Sequence, residues 1–386
     1  MYYFDYAATT PLHPDAAYVY GKLSQECYGN TSSLHEVGGE AQNMLALCRN
    51  EFAELLGVNP AGIYFTSGGT ESNILSIISL AKANRHLGTH IVTSAGEHPS
   101  VDSALEYLKT DGFTVTVVPF DKNGHVDLEL FENALKNETI LVSVQHINPE
   151  LGTIQPLEQI AELLAGRTIL LHSDCVQSFG KIDIKPIAKV VDCITVSSHK
   201  VYGPKGVGAV YIDPHQRVVP VFPGGVHESG FRGGTVNVPG IAAFVTAAKM
   251  CSKNDFGTEE FSYLRALMMN ELKKYPELFT IYESSDHSSQ LPQIIGLSVK
   301  NIEGQLMMLE LNRIGFAVST GSACQIGQQH ASKAMTALKV DPQKAKGFIR
   351  ISIGASTTSE SILALSRSLI QVAQQFQGLR FSHEIW

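Results

Sequence analysis

Between Val58 and Ile212, short apolar runs rich in β-branched residues alternate with helical segments, and this alternation narrows the possible folds more than any other feature of the chain. The runs are Ile63 to Thr66, His90 to Thr93, Thr114 to Val118, Ile140 to Gln145, Ile169 to His172, Ile194 to Val196 and Val207 to Ile212. Strands joined by helical crossovers pair in parallel, with the helices covering the sheet faces, so an α/β architecture is expected. Ligands of such a sheet gather at the carboxyl ends of its strands. At 386 residues, 44% of them hydrophobic, the chain can fill more than one core. Gly240 to Met250 reads as a linking helix, and the domain boundary is expected near Ser252. Beyond it, Phe261 to Lys274 and Ser359 to Gln377 read as helices and Ile294 to Lys300 as a strand, a pattern that fits a smaller α/β lobe.

A net charge of −8 with dispersed Lys and Arg offers no basic stripe for nucleic acid and no basic anchor for a membrane. The apolar stretches are short or broken by charge, and Met1 leads directly into Tyr2-Tyr3-Phe4-Asp5, so a cytoplasmic location is expected. Cys27, Cys48, Cys175, Cys193, Cys251 and Cys324 form no CxxC pair, which argues against a disulfide framework, a metal site or a cluster site.

The chemistry lies at the ends of the apolar runs. The strand-like run from Val190 to Val196 leads into Ser197-Ser198-His199-Lys200 and then the loop Val201-Tyr202-Gly203-Pro204-Lys205-Gly206. A lysine at such a strand end is placed to hold an aldehyde cofactor as a Schiff base. The run ending at His172 delivers Asp174 and Gln177, and an acid there can keep a pyridinium nitrogen protonated. Ser67-Gly68-Gly69-Thr70 is a turn after a strand, followed by a helix with Ile74, Ile77, Ile78 and Ala81 on one face. Its first N–H groups favour a phosphate, with Thr70 as cap or ligand. A loop lysine or a capping aspartate is commonplace alone. The ordered set reads as a pyridoxal-phosphate site, and neither P-loop nor dinucleotide spacing is present.

Further motifs extend this pattern nearly from end to end. They are Asp5-Tyr6-Ala7-Ala8-Thr9-Thr10-Pro11, Tyr28-Gly29-Asn30 with Ser33 and His35, Thr66 to Asn73, Glu97-His98, His172 to Gln177, Arg232-Gly233-Gly234-Thr235, Ser319 to Cys324, and Arg350-Ile351-Ser352-Ile353-Gly354. In this order they resemble the cysteine desulfurases of the nitrogen-fixation and iron-sulfur-cluster type, within the class V aminotransferase group. The resemblance implies a pyridoxal-phosphate-dependent transferase fold of the aspartate aminotransferase-like fold type I. It assigns 15–252 to a large domain with a mostly parallel sheet, and 1–14 with 253–386 to a small domain carrying the nucleophile loop. The site would lie between the lobes and across a homodimer interface.

The resemblance also implies residue roles. Lys200 would carry pyridoxal 5'-phosphate and shuttle a proton, and His98 would stack on the ring and assist. Asp174 would meet the ring nitrogen, Gln177 the phenolic oxygen, and Asn148 that oxygen and the substrate. Gly69, Thr70, Ser197 and His199 would bind phosphate with Thr235 of the neighbouring subunit. Arg350 is the candidate for the substrate carboxylate, because its guanidinium makes planar bidentate bonds. L-cysteine would become L-alanine, its sulfur passing to Cys324 as a persulfide and then to an acceptor or iron-sulfur scaffold protein. The small-residue run before Cys324 suits a loop that exposes a thiol. Cys175, beside Asp174, is assigned to packing. Pro149, Gln325-Ile326-Gly327 and Ala355 depart from the family pattern, which bears on substrate handling and the sulfur acceptor. Two rival readings stand beside this one. A class V aminotransferase or lyase acting on another amino acid would not need Cys324, and a non-catalytic scaffold would not need Lys200. The segment from Phe381 to Trp386 reads as a tail or a docking segment.

Overall fold

The computed structural model describes residues 1–253, 258–321 and 332–383. In chain order its first strands are β1 (Tyr2–Tyr3), β2 (Ile63–Thr66), β3 (His90–Ser94), β4 (Thr114–Val118), β5 (Thr139–Ser143), β6 (Leu170–Asp174), β7 (Cys193–Ser197) and β8 (Gly208–Ile212). Among the described residues β2 to β8 form a seven-stranded sheet in the order β2-β8-β7-β6-β5-β3-β4. Neighbours from β7 through β4 are parallel, whereas β8 runs antiparallel to both β7 and β2. The cause is the short link from Ser197 to Gly208, which holds one 3-10 turn (Ser198–Lys200) and no crossover helix. Gly208 is required here: a Cβ would stand 2.7 Å from the Gly68 backbone, so only glycine lets β8 begin against that turn.

Helices α1 (Pro14–Glu26), α2 (Glu36–Leu56), α3 (Gly69–Ala83) and α4 (Pro99–Thr110) precede or cross the sheet. On one face Phe52 meets Phe65, Phe179 and Phe244, with ring centroids 5.9, 5.3 and 5.2 Å apart. On the other face Ile77, Leu80, Val101 and Leu108 are buried together. The apolar pattern of α3 suggests a single buried face, yet Leu75, Leu80, Ser72, Ser76 and Ser79 are buried as well. Serine is tolerated inside this helix because its hydroxyl bonds within the protein, as Ser76 does to the Ser72 carbonyl.

A second core is filled by Phe4, Met268, Leu297, Ile349, Ile362 and Leu365. It packs on a sheet of β9 (Phe279–Tyr282), β10 (Ile294–Val299) and β12 (Phe348–Ser352) in the order β12-β10-β9, while β11 (Phe316–Ala317) pairs in parallel with β1. The N-terminal strand is thereby joined to the far end of the chain. Some boundaries differ from the sequence pattern. Val190 and Val191 lie in the turn after the short helix Lys185–Ala188, so the run expected from Val190 is a strand only from Cys193. Val144 and Gln145 lie beyond β5, where the Val144 N–H still donates to the His172 carbonyl. The last helix runs from Ser359 to His383, past the expected end at Gln377. Among the described residues no helix is long and apolar enough to cross a membrane.

Candidate active site

A cavity of about 280 Å³ opens at the carboxyl ends of β6 and β7 and the start of α3, and is closed from the opposite side by Ala7, Ala8 and Arg350. It brings together Gly69, Thr70, His98, Asp174, Gln177, Ser197, His199, Lys200 and Arg350, which are far apart in sequence. Lys200 closes the 3-10 turn after β7, and its Nζ donates to the carbonyls of Ala7 at 2.6 Å and Ala8 at 2.7 Å.

Asp174, the last residue of β6, is 7% exposed and held as an acceptor. Oδ1 receives the Val176 N–H at 2.9 Å and Oδ2 receives Asn73 Nδ2 at 2.7 Å. The orientation of the Asn73 amide is fixed in turn, because Thr195 Oγ1 donates to its Oδ1 at 2.5 Å. Asn73 Nδ2 also donates to Ser100 Oγ at 2.9 Å, which leaves the Ser100 hydroxyl hydrogen for His98 Nδ1 at 2.7 Å. The Ser100 backbone N–H points at the same nitrogen at 3.2 Å, so Nδ1 is the acceptor and Nε2 carries the proton of the neutral ring. Burial lowers the His98 pKa, which favours that neutral form. His98 is at once the N-cap of α4 and a wall of the cavity.

The anion-binding end is the start of α3. Its N-cap is Gly68, with no side-chain cap, so the first N–H groups remain available; Thr70 lies inside the first turn and does not cap it. Gly69, Thr70, Ser197 and His199 also line an adjoining cavity of about 380 Å³ with Lys205. Ser197 Oγ is buried and lacks a hydrogen-bond partner among the described residues. Burial, then the charge of Lys200, lowers the His199 pKa to about 4, and its Nδ1 meets Thr9 Oγ1 at 3.1 Å.

Arg350 is 3% exposed, unlike a surface ion pair. Nη2 donates to Asp5 at 2.7 Å and Nη1 to the Pro149 carbonyl at 3.0 Å, while Nε is buried without a partner among the described residues. Asn148 is buried beside the cavity and is absent from its wall. Its Oδ1 receives the N–H groups of Glu150 and Leu151, both at 2.9 Å, turning Ile147, Pro149 and Glu150 toward the cavity instead. Thr235 is exposed and away from this cavity in the single chain. Cys324 lies outside the described residues, as do Gln325, Ile326 and Gly327. The described residues that flank that segment lie near Glu150, which lines the cavity. Ser332 Oγ donates to its Oε2 at 2.6 Å, and a Cβ on Gly321, at φ 105°, would stand 3.0 Å from its Oε1. Cys175 is fully buried, and burial pushes its pKa up to about 12, which keeps it a thiol.

Sequence motifs did not single out Asn73, Ser100, Thr195, Glu150 or the carbonyls of Ala7 and Ala8. Asn73 stands in a quoted motif, but its partners come from three separate elements.

These groups fit a phosphorylated pyridine aldehyde. An uncapped helix N-terminus and the Ser197 hydroxyl, without a partner among the described residues, face one end, a fixed carboxylate faces the middle, and a lysine stands beside it. Such a site on a mostly parallel α/β sheet defines a fold type I pyridoxal-phosphate enzyme. Residues 2–365 match the aminotransferase class-V family. A NifS protein of Bacillus subtilis is 43% identical over 98% of this chain and 96% of its own length. The cysteine desulfurase IscS 1 of Archaeoglobus fulgidus is 36% identical over 98% of both chains. A solved NifS-like protein superposes with a TM-score of 0.89 at 32% identity, covering 97% of this chain and 99% of that one. The chain belongs to the class-V aminotransferase family and, within it, to the NifS-type cysteine desulfurases.

Proposed function

We propose that this chain removes sulfur from L-cysteine, releasing L-alanine, and passes it through a persulfide on Cys324 to a protein acceptor such as an iron-sulfur scaffold. The observation that carries the reading is the joining of Lys200, Asp174, His98 and Arg350 in one cavity. In this reading Lys200 holds the aldehyde carbon of pyridoxal 5'-phosphate. The phosphate takes the N–H groups at Gly69 and Thr70 with Ser197 and His199, joined by Thr235 of a second copy. Bound cofactor supplies an electron sink for charge developing on the substrate α-carbon. Asp174 accepts the hydrogen of the ring nitrogen, Gln177 serves the phenolic oxygen, and the Asn148 turn shapes the adjoining wall.

Arg350 receives the substrate carboxylate and orients the α-hydrogen toward Lys200, whose amine takes that proton and later returns one to carbon. His98 covers the ring with a neutral imidazole and assists this transfer. The Cys324 thiolate attacks the substrate sulfur: a sulfur–sulfur bond forms, the carbon–sulfur bond breaks, and the electron pair left on carbon ends in a C–H bond of alanine. We further place 15–252 in a large domain and 1–14 with 253–386 in a small one, in a cytoplasmic homodimer.

The test is to incubate the protein with L-cysteine, quantify alanine, and locate persulfide by peptide mass spectrometry. Wild type is expected to carry it on Cys324. Cys324→Ser is expected to bind cofactor and yield no persulfide, and Lys200→Ala to lose turnover by at least about 10²-fold. Persulfide on Cys175 with normal turnover in Cys324→Ser overturns the assignment.

A further inference from the structure

Lys181 follows Gln177 by one helical turn in sequence and lies outside the cofactor cavity. It lines a second cavity of about 290 Å³ on the far side of Lys200, with Tyr6, Tyr202, Cys251, Glu260 and Gln293. Its Nζ donates to Gln177 Oε1 at 2.5 Å, and Gln177 Nε2 donates to the Ala7 carbonyl at 2.9 Å, the same carbonyl that receives Lys200 at 2.6 Å. A carbonyl oxygen only accepts, so the amide group facing Ala7 is the NH2, and the amide oxygen is left to Lys181, which donates to it as ammonium or as amine. The opposite flip would set NH2 against the ammonium and oxygen against oxygen. With the flip fixed and one amide hydrogen on Ala7, the second amide hydrogen of Gln177 is left for the cavity that this residue lines.

We infer that Lys181 is a positioning residue that locks the Gln177 amide so that an N–H donor faces the phenolic oxygen of bound pyridoxal phosphate, and thereby sets the pH at which the Lys200–cofactor linkage loses its proton. The inference rests on the cofactor reading above and adds to it a residue outside the cavity. Charge supports the geometry. Lys181, Lys200 and Arg350 form a group of neighbouring cations, and burial followed by those two charges lowers the Lys181 pKa to about 7. Cys251, in the same cavity, acts in the other direction, and Gln177 Oε1 is the acceptor that Lys181 meets. When the donor to the phenolic oxygen is lost, negative charge there is less stabilised and the linkage holds its proton more tightly, so its pKa rises.

The test is a visible-absorbance titration of enzyme loaded with pyridoxal phosphate. Lys181→Met is expected to shift the transition upward by roughly one to two pH units, the scale of one lost hydrogen bond to a charged acceptor. Lys181→Arg, which keeps a donating cation at every pH, should return it to within about half a unit. In a Gln177→Ala background, Lys181→Met should add no further shift, because the lysine acts through the amide. Should Lys181→Met fail to fold, Lys181→Leu, which likewise has no donor, carries the same comparison. Titration of wild type and the Lys181 variant at the same pH overturns the inference, as does an equal shift in both backgrounds. A wild type that forms no visible band with pyridoxal phosphate overturns the cofactor reading itself.

Discussion

On the wall built by β6, β7 and α3, Asp174, Asn73 and His98 are tied into one hydrogen-bonded chain that runs from Thr195 to the imidazole. On the facing wall Arg350 keeps a buried Nε without a partner among the described residues, and its remaining bonds go to Asp5 and a backbone carbonyl. On the first wall Asp174, Asn73, Ser100 and His98 are spent on one another, which fixes their geometry before any ligand arrives, while the first N–H groups of α3 and, among the described residues, Ser197 Oγ stay open at its anion-binding end. The second keeps hydrogen-bonding capacity in hand, which suits a group that comes and goes with each turnover. We take the fixed carboxylate and imidazole as the side proposed for the resident cofactor and the open guanidinium as the side proposed for the substrate.

The sharpest way to break that division is Arg350→Lys. A lysine is a point charge and cannot span Asp5, the Pro149 carbonyl and a carboxylate in one plane. We expect kcat/KM for L-cysteine to fall about 10²-fold, on the order of 2–3 kcal/mol, mostly through KM. The visible spectrum of the bound cofactor should be unchanged. Steady-state kinetics with an unaltered KM would show that the facing wall does not read the substrate.

Asn73→Ala probes the first wall and should act in the opposite sense. It removes the donor to Asp174 and the donor that orients Ser100 toward His98. Such losses cost roughly 1–3 kcal/mol, so we expect kcat to fall about tenfold and cofactor to bind less tightly, with KM little changed. Cofactor retention during dialysis and single-turnover rates would separate these effects. A change confined to KM would erase the distinction between the walls.

How far each wall can be read in the sequence follows the same contrast. Strand ends announce themselves through short β-branched runs closed by small polar residues, so Asp174, Gln177 and the Ser197–Lys200 segment are visible from local order alone. The seven-stranded sheet follows from the alternation of runs with helical segments, apart from the reversal of β8, which depends on a connection too short for a crossover. The buried chain is not legible. Asn73, Ser100 and Thr195 are ordinary polar residues until folding sets three elements together. The same limit hides Lys181: its spacing from Gln177 is visible, but a lysine at that spacing is more often a solvated side chain, and only burial makes it a partner. Asn148 shows the converse, since the resemblance suggests a ligand while its amide oxygen is taken by the turn that follows and its Nδ2 lies 3.4 Å from the Gly96 carbonyl.

Behind the first wall, Glu97 offers the smallest and most selective test. It is 1% exposed, Ser94 Oγ lies 2.5 Å from its Oε1, and the Gln145 N–H donates at 2.9 and 3.1 Å to its two oxygens. Burial outweighs these bonds and raises its pKa to about 8 from 4.5. Between those values the folded chain keeps a proton that the unfolded chain has released, so the contribution of Glu97 to stability is greatest below about 4.5 and is lost as pH rises through about 8. His146 and His172, lowered by burial to about 4 and 3, act at the acid end, where stability is lost as pH falls below the ordinary histidine value of 6.5. The informative quantity is therefore the difference between wild type and Glu97→Gln, which keeps the shape and a donor but cannot ionise. Thermal midpoints of the two cofactor-free proteins, measured from pH 5 to 8.5, should draw apart in favour of the variant as pH rises. Turnover should change by no more than about threefold, because Glu97 lies behind His98 and lines no part of the cavity. A difference that is flat across this range would mean that Glu97 is charged throughout, and that the first wall carries an anion directly behind His98 where the burial argument requires a neutral acid.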